Sequence, residues 1–583
     1  MTLAPAAIPA AAPHGPDAAN TQSPTRPAHD RVITALLCLS GALTLAQAFV
    51  PLEEFIYRGD DAFYYFQIAY NYPRVGFWSF DTIHPTNGVQ PLWAIMLTAL
   101  AQVMSWLGVL DRDVFARTAV ALGAVLHVAS SILLYRLLAR QVSLAVGVTV
   151  AAAFLLPLGI VWQRAWGMEN SLYALTLVAS VTYFHRAFRG QETNARAVVA
   201  GLLFGITALA RLNAALFAVC AVAAVLVASR RLRLLGRLRY AVIISAVSAS
   251  CVIPFVAWNY VETGHVLPIS GAVKSVQTEQ FLRDAAIDSP ISPQFARRVL
   301  RLARNPVGWF MTSRAGDAFT ILGGRLALAG NSRVDPRIIV PALAAVTLLP
   351  IAVAGVGAWL SALMSALRRL TPFGYLVAFA LVNATVSILL YPQQVSYAMV
   401  RWWLVESEIV IVVLAGTLVG TAIGYMGTAL FAAPVRRRIT YMALATLIVA
   451  HAALMGRFYW NGHHQGYDWN ASWTDDCFLA AEWLRDHVGA DQRVGSWNAG
   501  VLGYYASQRV VNLDGLMNNF DLIPYLRNRD LVTYIRNEGI TYLADMEETF
   551  RTYRISGGLS LREVYSHHSA LMRQDYKIYR VEQ

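Results

Sequence analysis

Two adjacent carboxylates, Asp60 and Asp61, follow the first strongly apolar stretch of the chain, in the segment YRGDDAFYYFQIAYN. Neighbouring carboxylates in a desolvated cleft raise each other's pKa, so one of them can act as a general base near neutral pH. The same pair is also typical of a helix N-terminus, where it caps backbone N–H groups and meets a favourable dipole. The sequence leaves both interpretations open.

Further ionisable or strongly polar residues interrupt the apolar pattern at later points, namely Glu169, Arg211, Asn213, Lys274, Arg401, Glu406 and Glu408. Charge at membrane depth is costly, so such residues are functional candidates. Each has a structural alternative, such as an ion pair between Glu169 and Arg164 or Arg211, or a snorkelling position for Arg401 at the interface. The convergence of carboxylates with Arg211, Lys274 and Arg401 on one face favours a site.

The segment FDTIHPTNGVQPLW adds His84, Asn87 and Trp93 as substrate-binding candidates near the acidic pair, although His84 also fits an ordinary loop histidine. Cations close to a carboxylate base suit a phosphate, which they hold and stabilise as it leaves. A base beside a phosphate site at a membrane surface therefore predicts transfer of a sugar from a polyprenyl-phosphate donor to a hydroxyl group.

The composition predicts an integral membrane protein. The chain has 583 residues, of which 56% are hydrophobic and 14% charged, whereas roughly 25% of residues are charged in soluble domains. The formal net charge is +12, and Lys274 and Lys577 are the only lysines among many arginines. This charge indicates cytoplasmic loops facing anionic lipid, and no segment resembles a nucleic-acid-binding module.

Apolar segments lie at about 32–50, 92–108, 114–138, 143–160, 170–187, 197–210, 213–229, 240–258, 338–367, 373–391, 402–430 and 438–456. Counting all twelve as spans would place short basic loops on both sides of the membrane, against the positive-inside rule. The conflict disappears if residues 92–108 form a juxtamembrane helix on the outer face. The prediction is then eleven spans, with the N-terminus inside and the C-terminal region outside.

The predicted organisation is a disordered cytoplasmic segment at 1–30, a transmembrane domain at 31–456 and a periplasmic α/β domain at 457–583. The transmembrane domain includes outer loops at 51–113 and 259–337. The Arg- and Ala-rich composition is compatible with a high-GC bacterium, so the expected location is the bacterial cytoplasmic membrane, with the site facing the periplasm.

The C-terminal region has the composition of a soluble domain. QRVGSWNAGVLGYYASQRVVNLDGL predicts a strand, a loop with a helix, and a second strand, and GITYLADMEE predicts a further strand preceded by a helix. Because α/β domains hold ligands at the carboxyl ends of their strands, Trp497, Asn498 and Asp514 are acceptor-binding candidates. A structural turn with a capping aspartate is the alternative.

The segments GDDAFYYFQIA, HPTNGVQPLW, GMENSLYALTL and PISGAVK resemble the GT-C superfamily of integral membrane glycosyltransferases. This superfamily includes protein O-mannosyltransferases, lipid A aminoarabinose transferases, mycobacterial arabinofuranosyltransferases and the catalytic subunit of oligosaccharyltransferase. The resemblance covers roughly residues 32–430 and is specific for the superfamily more than for any subfamily. It implies a first outer loop that carries an essential aspartate and juxtamembrane helices.

The resemblance places the essential acidic motif on Asp60 and Asp61 and a second acidic position on Glu169, with Arg211 and Lys274 near the lipid phosphate. It implies an inverting transfer in which one aspartate deprotonates an acceptor hydroxyl on a lipid, glycan or protein. GMEN stands where metal-dependent members carry a DxD or TDxP sequence, so the metal is unknown and a divalent cation stays open.

Two other functions remain open at this stage. A lipid-linked sugar transporter or flippase would also bury charge, but it would more typically show inverted repeats with broken helices near the membrane midplane. An O-antigen ligase or polymerase would use a diphosphate-linked donor, mainly with outer-loop Arg and His residues. A comparison of monophosphate and diphosphate carriers distinguishes these functions.

Overall fold

A computed structural model describes residues 26–56, 59–155, 167–189, 193–228, 234–284, 292–294, 297, 349–350, 356–370, 373–391, 405–464, 473–570 and 572–582. The described chain is mostly helical and ends in a small domain built on a sheet. The predicted fold class, a helical membrane protein with a C-terminal α/β domain, is confirmed at this level.

The helices up to residue 464 are α1 (Arg26–Ala46), α2 (Leu52–Ile56), α3 (Asp60–Val75), α4 (Pro91–Trp106), α5 (Arg112–Gln141), α6 (Leu144–Leu155), α7 (Asn170–Arg189), α8 (Asn194–Ala210), α9 (Ala215–Ala228), α10 (Leu234–Thr263), α11 (Ile269–Asp284), α12 (Val356–Arg369), α13 (Gly374–Leu390), α14 (Val405–Leu430) and α15 (Ala433–His464). Helix α1 begins inside the segment predicted to be disordered, and α15 continues past the predicted domain boundary at residue 457. The predicted loop 259–337 is described only in part.

Three helices in the described ranges, α5, α10 and α14, are long and apolar enough to cross a membrane, and α12 with α13 would make a fourth if they form one bent span. The count of eleven spans and its orientation stay predictions. Helix α4 matches the segment predicted to lie along the membrane. Its 16 residues extend about 24 Å at 1.5 Å per residue, less than the hydrocarbon thickness of about 30 Å.

Small residues let the helices approach closely, as is typical of membrane bundles. A Cβ atom at Gly416 of α14 would lie 2.6 Å from the Val150 side chain of α6. A Cβ atom at Gly205 of α8 would lie equally close, 2.6 Å, to Cys251 of α10. These contacts bring the helix backbones together without bulky side chains between them.

The C-terminal domain contains α16 (Trp473–His487), β1 (Arg493–Ser496), α17 (Gly500–Tyr505), β2 (Arg509–Asn512), α18 (Ile523–Asn528), α19 (Leu531–Asn537), β3 (Tyr542–Met546), α20 (Glu547–Thr552), β4 (Ser560–Ser569) and β5 (Gln574–Glu582). The sheet order is β2-β1-β3-β5-β4. Strands β2, β1 and β3 are parallel, and β5 and β4 are antiparallel to their neighbours. The carboxyl ends of the three parallel strands therefore meet at one edge.

The predicted strands of this domain are confirmed at β1, β2 and β3, with α17 between the first two. The single helix predicted before β3 is instead two helices, α18 and α19, because Arg529 adopts a left-handed conformation with φ of 58°. The β4–β5 hairpin was not predicted, although SLREVYSHHS and QDYKIYRVE alternate in the manner of half-buried strands.

Helix α11 packs into the core of the C-terminal domain. Its buried residues Ile269, Val273 and Val276 join one apolar cluster with Trp497 and Leu513. The helix that carries Lys274 therefore lies against the C-terminal domain, although it follows α10 in the sequence by only a few residues.

Candidate functional site

The site lies where the N-terminus of α3 meets the carboxyl edge of the C-terminal sheet. Asp60, the first residue of α3, is 5% exposed and faces the N-terminus of α17. Its Oδ2 accepts the backbone N–H of Gly500 at 3.0 Å and its Oδ1 accepts that of Val501 at 2.7 Å. Burial raises the pKa of Asp60 to about 7, although these two N–H groups lower it.

Tyr64, one turn after Asp60, makes a second set of contacts with the same loop. Its hydroxyl donates to the carbonyl oxygen of Trp497 at 3.3 Å. The Tyr64 hydroxyl oxygen accepts the N–H of Ala499 at 3.1 Å and the side-chain amide of Asn512 at 3.3 Å. The sequence did not single out Tyr64, and its spacing of four residues from Asp60 was the available signal.

Asp61 differs from Asp60 because it is partly exposed and interacts with a cation. Desolvation raises the pKa of Asp61 to about 6, Lys274 lowers it, and Glu169 raises it. Burial lowers the pKa of Lys274 to about 8, and Arg211 lowers it further, whereas Asp61 is among the carboxylates that raise it. Asp61 and Lys274 are thus electrostatically coupled, and each favours the charged form of the other.

Asp514 adds a carboxylate from the C-terminal domain. It follows β2, and its Oδ1 accepts the N–H of Leu516 at 2.8 Å. Burial raises the pKa of Asp514 to about 7, with smaller increases from Asp60 and Asp61. Its charge also raises the pKa of Lys274. Asp514 is therefore electrostatically coupled to Asp60 and Asp61, and Asp61 and Asp514 both act on Lys274.

Glu169 lies just before α7 and is 2% exposed. Its Oε2 accepts the hydroxyl of Tyr65 at 3.0 Å, and its Oε1 lies 3.8 Å from Nε of Arg211. The Arg211 guanidinium also lies over the ring of Tyr173, 5.6 Å from its centroid. Glu169 and Arg211 are therefore brought together, as the ion-pair alternative expected, at the break between α8 and α9.

Two residues of the first loop hold this region in place. The N–H of Gln90 donates to Tyr65, and the Gln90 side chain accepts the N–H of Leu212, both at 3.0 Å. The indole of Trp93 is fully buried and donates to the carbonyl oxygen of Gly167 at 2.7 Å. Trp93 thus supports the segment before Glu169 from inside the fold.

Asn87 links the same loop to the Lys274 helix. Its Oδ1 accepts the N–H of Ile269, the first residue of α11, at 2.8 Å. Its Nδ2 is buried and has no hydrogen-bond partner within the described part of the chain. Next to it, a Cβ atom at Gly88 would lie 1.9 Å from the carbonyl oxygen of Leu516, so the loop presses directly against the turn that carries Asp514.

His84 has different surroundings. Its Nδ1 lies 2.5 Å from Asp81 and its Nε2 lies 3.3 Å from Glu538 of the C-terminal domain. Burial lowers the pKa of His84, but the hydrogen bond to Asp81 and the charges of both carboxylates outweigh it, so the pKa is raised. His84 therefore joins the two parts of the chain through an ion-pair network.

Two later candidates have separate outcomes. Glu406 at the start of α14 is fully buried, and its carboxylate accepts the hydroxyl of Tyr173 at 3.1 Å and the amide of Asn383 at 2.6 Å. Asn383 in turn accepts the side-chain amide of Asn213 at 3.1 Å. Arg401 lies outside the described residues.

Trp497 and Asn498 are held by a residue that the sequence did not single out, Asp545. Asp545 Oδ2 accepts the N–H groups of Trp497 and Asn498, each at 3.0 Å, and Oδ1 accepts the Asn498 side chain at 3.1 Å. The Trp497 ring is 2% exposed and stacks on Tyr553, with centroids 5.1 Å apart. The position of Asp545 at the end of β3 was the available signal.

The carboxylates of the site raise the question of a bound metal ion. Among the described residues, no group of three or more His, Cys, Asp or Glu side chains is arranged to hold a metal ion. Both oxygens of Asp60 already accept backbone N–H groups. The described donor set therefore does not fit a metal ion.

Sequence comparison gives one match. Residues 464–579 match a family model described as a domain of unknown function (DUF8728). No curated protein matches the chain. The matched region corresponds to most of the C-terminal domain and leaves the helical region unassigned by sequence.

Structural comparison assigns the fold. The apo oligosaccharyltransferase of Archaeoglobus fulgidus is similar with a TM-score of 0.50 and 13% identity, over 89% of this chain and 70% of that one. ArnT from Cupriavidus metallidurans in the apo state gives a TM-score of 0.42 and 16% identity, over 94% of this chain and 98% of that one. The likeness to the oligosaccharyltransferase shows a shared fold.

Proposed function

We propose that this protein is an inverting glycosyltransferase that moves a sugar from a polyprenyl-phosphate donor to an acceptor hydroxyl at the outer face of a bacterial cytoplasmic membrane. The observation that carries the proposal is the pairing of Asp61 with Lys274. Helix α3 supplies Asp61, a partly exposed carboxylate with a pKa of about 6. Helix α11, which packs against the C-terminal domain, supplies Lys274.

Asp61 is the proposed general base. At neutral pH most Asp61 side chains are ionised, since the pKa is about 6, and a base with a pKa near the operating pH transfers protons efficiently. The acceptor O–H gives its proton to Asp61 while its oxygen forms a bond to the anomeric carbon. The bond between that carbon and the phosphate oxygen breaks, and its electron pair stays on the phosphate. Attack from the opposite face inverts the anomeric configuration.

Lys274 and Arg211 are the proposed phosphate ligands, together with Arg401. Cations placed where charge develops on the leaving phosphate stabilise the transition state more than the ground state. The buried Nδ2 of Asn87 is an additional donor close to the start of the Lys274 helix. Glu169 is proposed to orient Arg211, its ion-pair partner. Trp93 and His84 support the loop that carries Asn87.

The acceptor is proposed to bind at the carboxyl edge of the C-terminal sheet. Asp514 is the acceptor-binding carboxylate, and Trp497 and Asn498 shape the loop beside it. This placement is supported by the electrostatic coupling of Asp514 to both Asp61 and Lys274. The acceptor hydroxyl belongs to a lipid, glycan or protein.

The test is a lipid extraction from cells whose only copy of this chain carries Asp61→Asn, analysed by mass spectrometry. The proposal expects one glycosylated monophosphate carrier to accumulate, because the donor is made but not consumed. Asp486→Asn is the matched control, since this side chain is 65% exposed and far from Asp61 in the sequence. Accumulation of a diphosphate carrier would instead indicate a ligase or polymerase. An unchanged carrier pool with unaltered glycans would indicate a transporter and overturn the proposal.

A further inference from the structure

Asp60 and Asp61 are adjacent in the sequence, but their carboxylates have different surroundings. Both oxygens of Asp60 accept backbone N–H groups from residues about 440 positions later in the chain, Gly500 and Val501. Asp61 is more exposed and interacts instead with Lys274 and Glu169. The two aspartates therefore do not have interchangeable chemistry.

The contact made by Asp60 lies within a broad interface between the helical region and the C-terminal domain. The Tyr64 hydroxyl bonds to the Trp497–Ala499 loop, and the Tyr504 hydroxyl donates to the carbonyl oxygen of Arg112 at 2.5 Å. Within the helical region, Asn87 accepts the N–H of Ile269 in α11, the helix that packs against the C-terminal domain. In this interface, the carboxylate of Asp60 is hydrogen-bonded directly to the first two residues of α17.

We infer that Asp60 is a positioning residue that fastens the C-terminal domain to α3, so that Asp514 and the Lys274 helix are held beside Asp61. The inference rests on the proposed function for the role of Asp61, and it divides the acidic pair into a clamp and a base. Lys274 depends on this clamp because α11 shares its apolar cluster with Trp497 and Leu513, which flank the loop that Asp60 holds.

The same geometry argues against Asp60 as the base. Each Asp60 oxygen already accepts one backbone N–H group, which stabilises the ionised form and opposes proton uptake. Asp60 is also only 5% exposed and is packed directly against α17. A Cβ atom at Gly500 would lie 2.2 Å from the backbone oxygen of Asp60 and 2.7 Å from its carboxyl carbon.

The close packing supplies two independent ways to loosen the clamp. Asp60→Asn places an amide N–H group against one of the two backbone donors, so at most one hydrogen bond survives. Gly500→Ala introduces a clash with Asp60 from the other side of the interface. Gly557→Ala is the matched control, because a Cβ atom there meets nothing within 4 Å.

The experiment is backbone hydrogen exchange, followed by mass spectrometry, on the full chain in lipid nanodiscs. In Asp60→Asn and Gly500→Ala, exchange at Gly500 and Val501 is expected to accelerate about tenfold or more, and exchange at Ile269 to accelerate with it. Asp61→Asn and Gly557→Ala are expected to exchange like the wild type. Unchanged exchange at Ile269 in both clamp variants would overturn the inference, because Asp60 would then be a local cap.

A pH profile separates positioning from catalysis. With the donor identified by the lipid extraction, transfer in isolated membranes is expected to fall at every pH in Asp60→Asn, while its acid limb stays near pH 6, the pKa of Asp61. Loss of that limb in Asp60→Asn would make Asp60 the base and overturn the inference. Full transfer by Asp61→Asn would refute the proposed function, but the exchange result for Asp60 would be unaffected.

Discussion

The backbone N–H of Ile269 donates to Oδ1 of Asn87 at 2.8 Å, across 182 residues of sequence. This bond fixes the start of α11 to the loop between α3 and α4. Lys274 lies on the second turn of that helix, so its position depends on how the loop holds the start of the helix. The Asn87 amide therefore influences the position of a cation five residues after its hydrogen-bond partner, Ile269.

Asn87→Ala is expected to weaken donor binding because it frees the start of α11 and removes a buried donor. Loss of one buried hydrogen bond costs about 1–2 kcal/mol, which corresponds to roughly a tenfold rise in the KM for the lipid donor. Steady-state transfer in nanodiscs measures it. Asn537→Ala, at an exposed position of α19, is the control and should keep the wild-type KM. An unchanged KM in Asn87→Ala would contradict the proposed link.

Transfer should depend on pH with two limbs. Asp61 must be ionised to accept a proton, so kcat/KM rises with pH through its pKa of about 6. Lys274 must be protonated to hold the phosphate, so kcat/KM falls as pH rises through its pKa of about 8. In Lys274→Arg the alkaline limb should disappear, because a guanidinium stays charged at that pH. A kcat/KM that does not fall below pH 6 or above pH 8 would refute both roles.

Asp545→Ala should destabilise the C-terminal domain. The substitution leaves the buried N–H groups of Trp497 and Asn498 without their acceptor, at a cost of about 2–5 kcal/mol. Thermal unfolding followed by tryptophan fluorescence should show an earlier transition. Asp486→Ala, at an exposed position, should unfold like the wild type. An unshifted transition in Asp545→Ala would mean that the loop is held by other contacts.

The predicted topology is tested at Val109, which is 53% exposed after the end of α4. In a background without the native cysteines, Val109→Cys should react with a membrane-impermeant thiol reagent in intact cells. The expectation follows from α4 lying along the outer face without crossing. Labelling only after permeabilisation would show that residues 92–108 cross the membrane, and the charge argument would fail.

Local sequence patterns predicted helices and strands well where the structure of a segment depends mainly on its own residues. The break at Arg211 between two short apolar helices and the alternation of strands and helices around GSWNAG both appear in the structure. The split between α18 and α19 was not predictable from propensity, because it depends on the left-handed backbone of Arg529, a residue type that rarely adopts it.

The sequence predicted which residues belong to the candidate site, but not their contacts or their burial. The sequence named Asp60 and Asp61 together, since the two residues are of the same type and adjacent in the chain. Their separation into a buried and a partly exposed carboxylate depends on Gly500 and Val501, which are distant in sequence and carry no polar side chain. Backbone donors leave no compositional signal, and this is also why the bonds of Asp545 to Trp497 and Asn498 were missed.

The placement of α11 in the core of the C-terminal domain has a consequence for biogenesis. Ile269, Val273 and Val276 reach their apolar partners only when residues from 497 onwards have been synthesised. Contacts between segments so distant in sequence form late, since the intervening chain must be ordered first. The nascent protein therefore makes its apolar helices before it can complete the proposed site. A chain released before residue 497 would contain those helices and lack the proposed site.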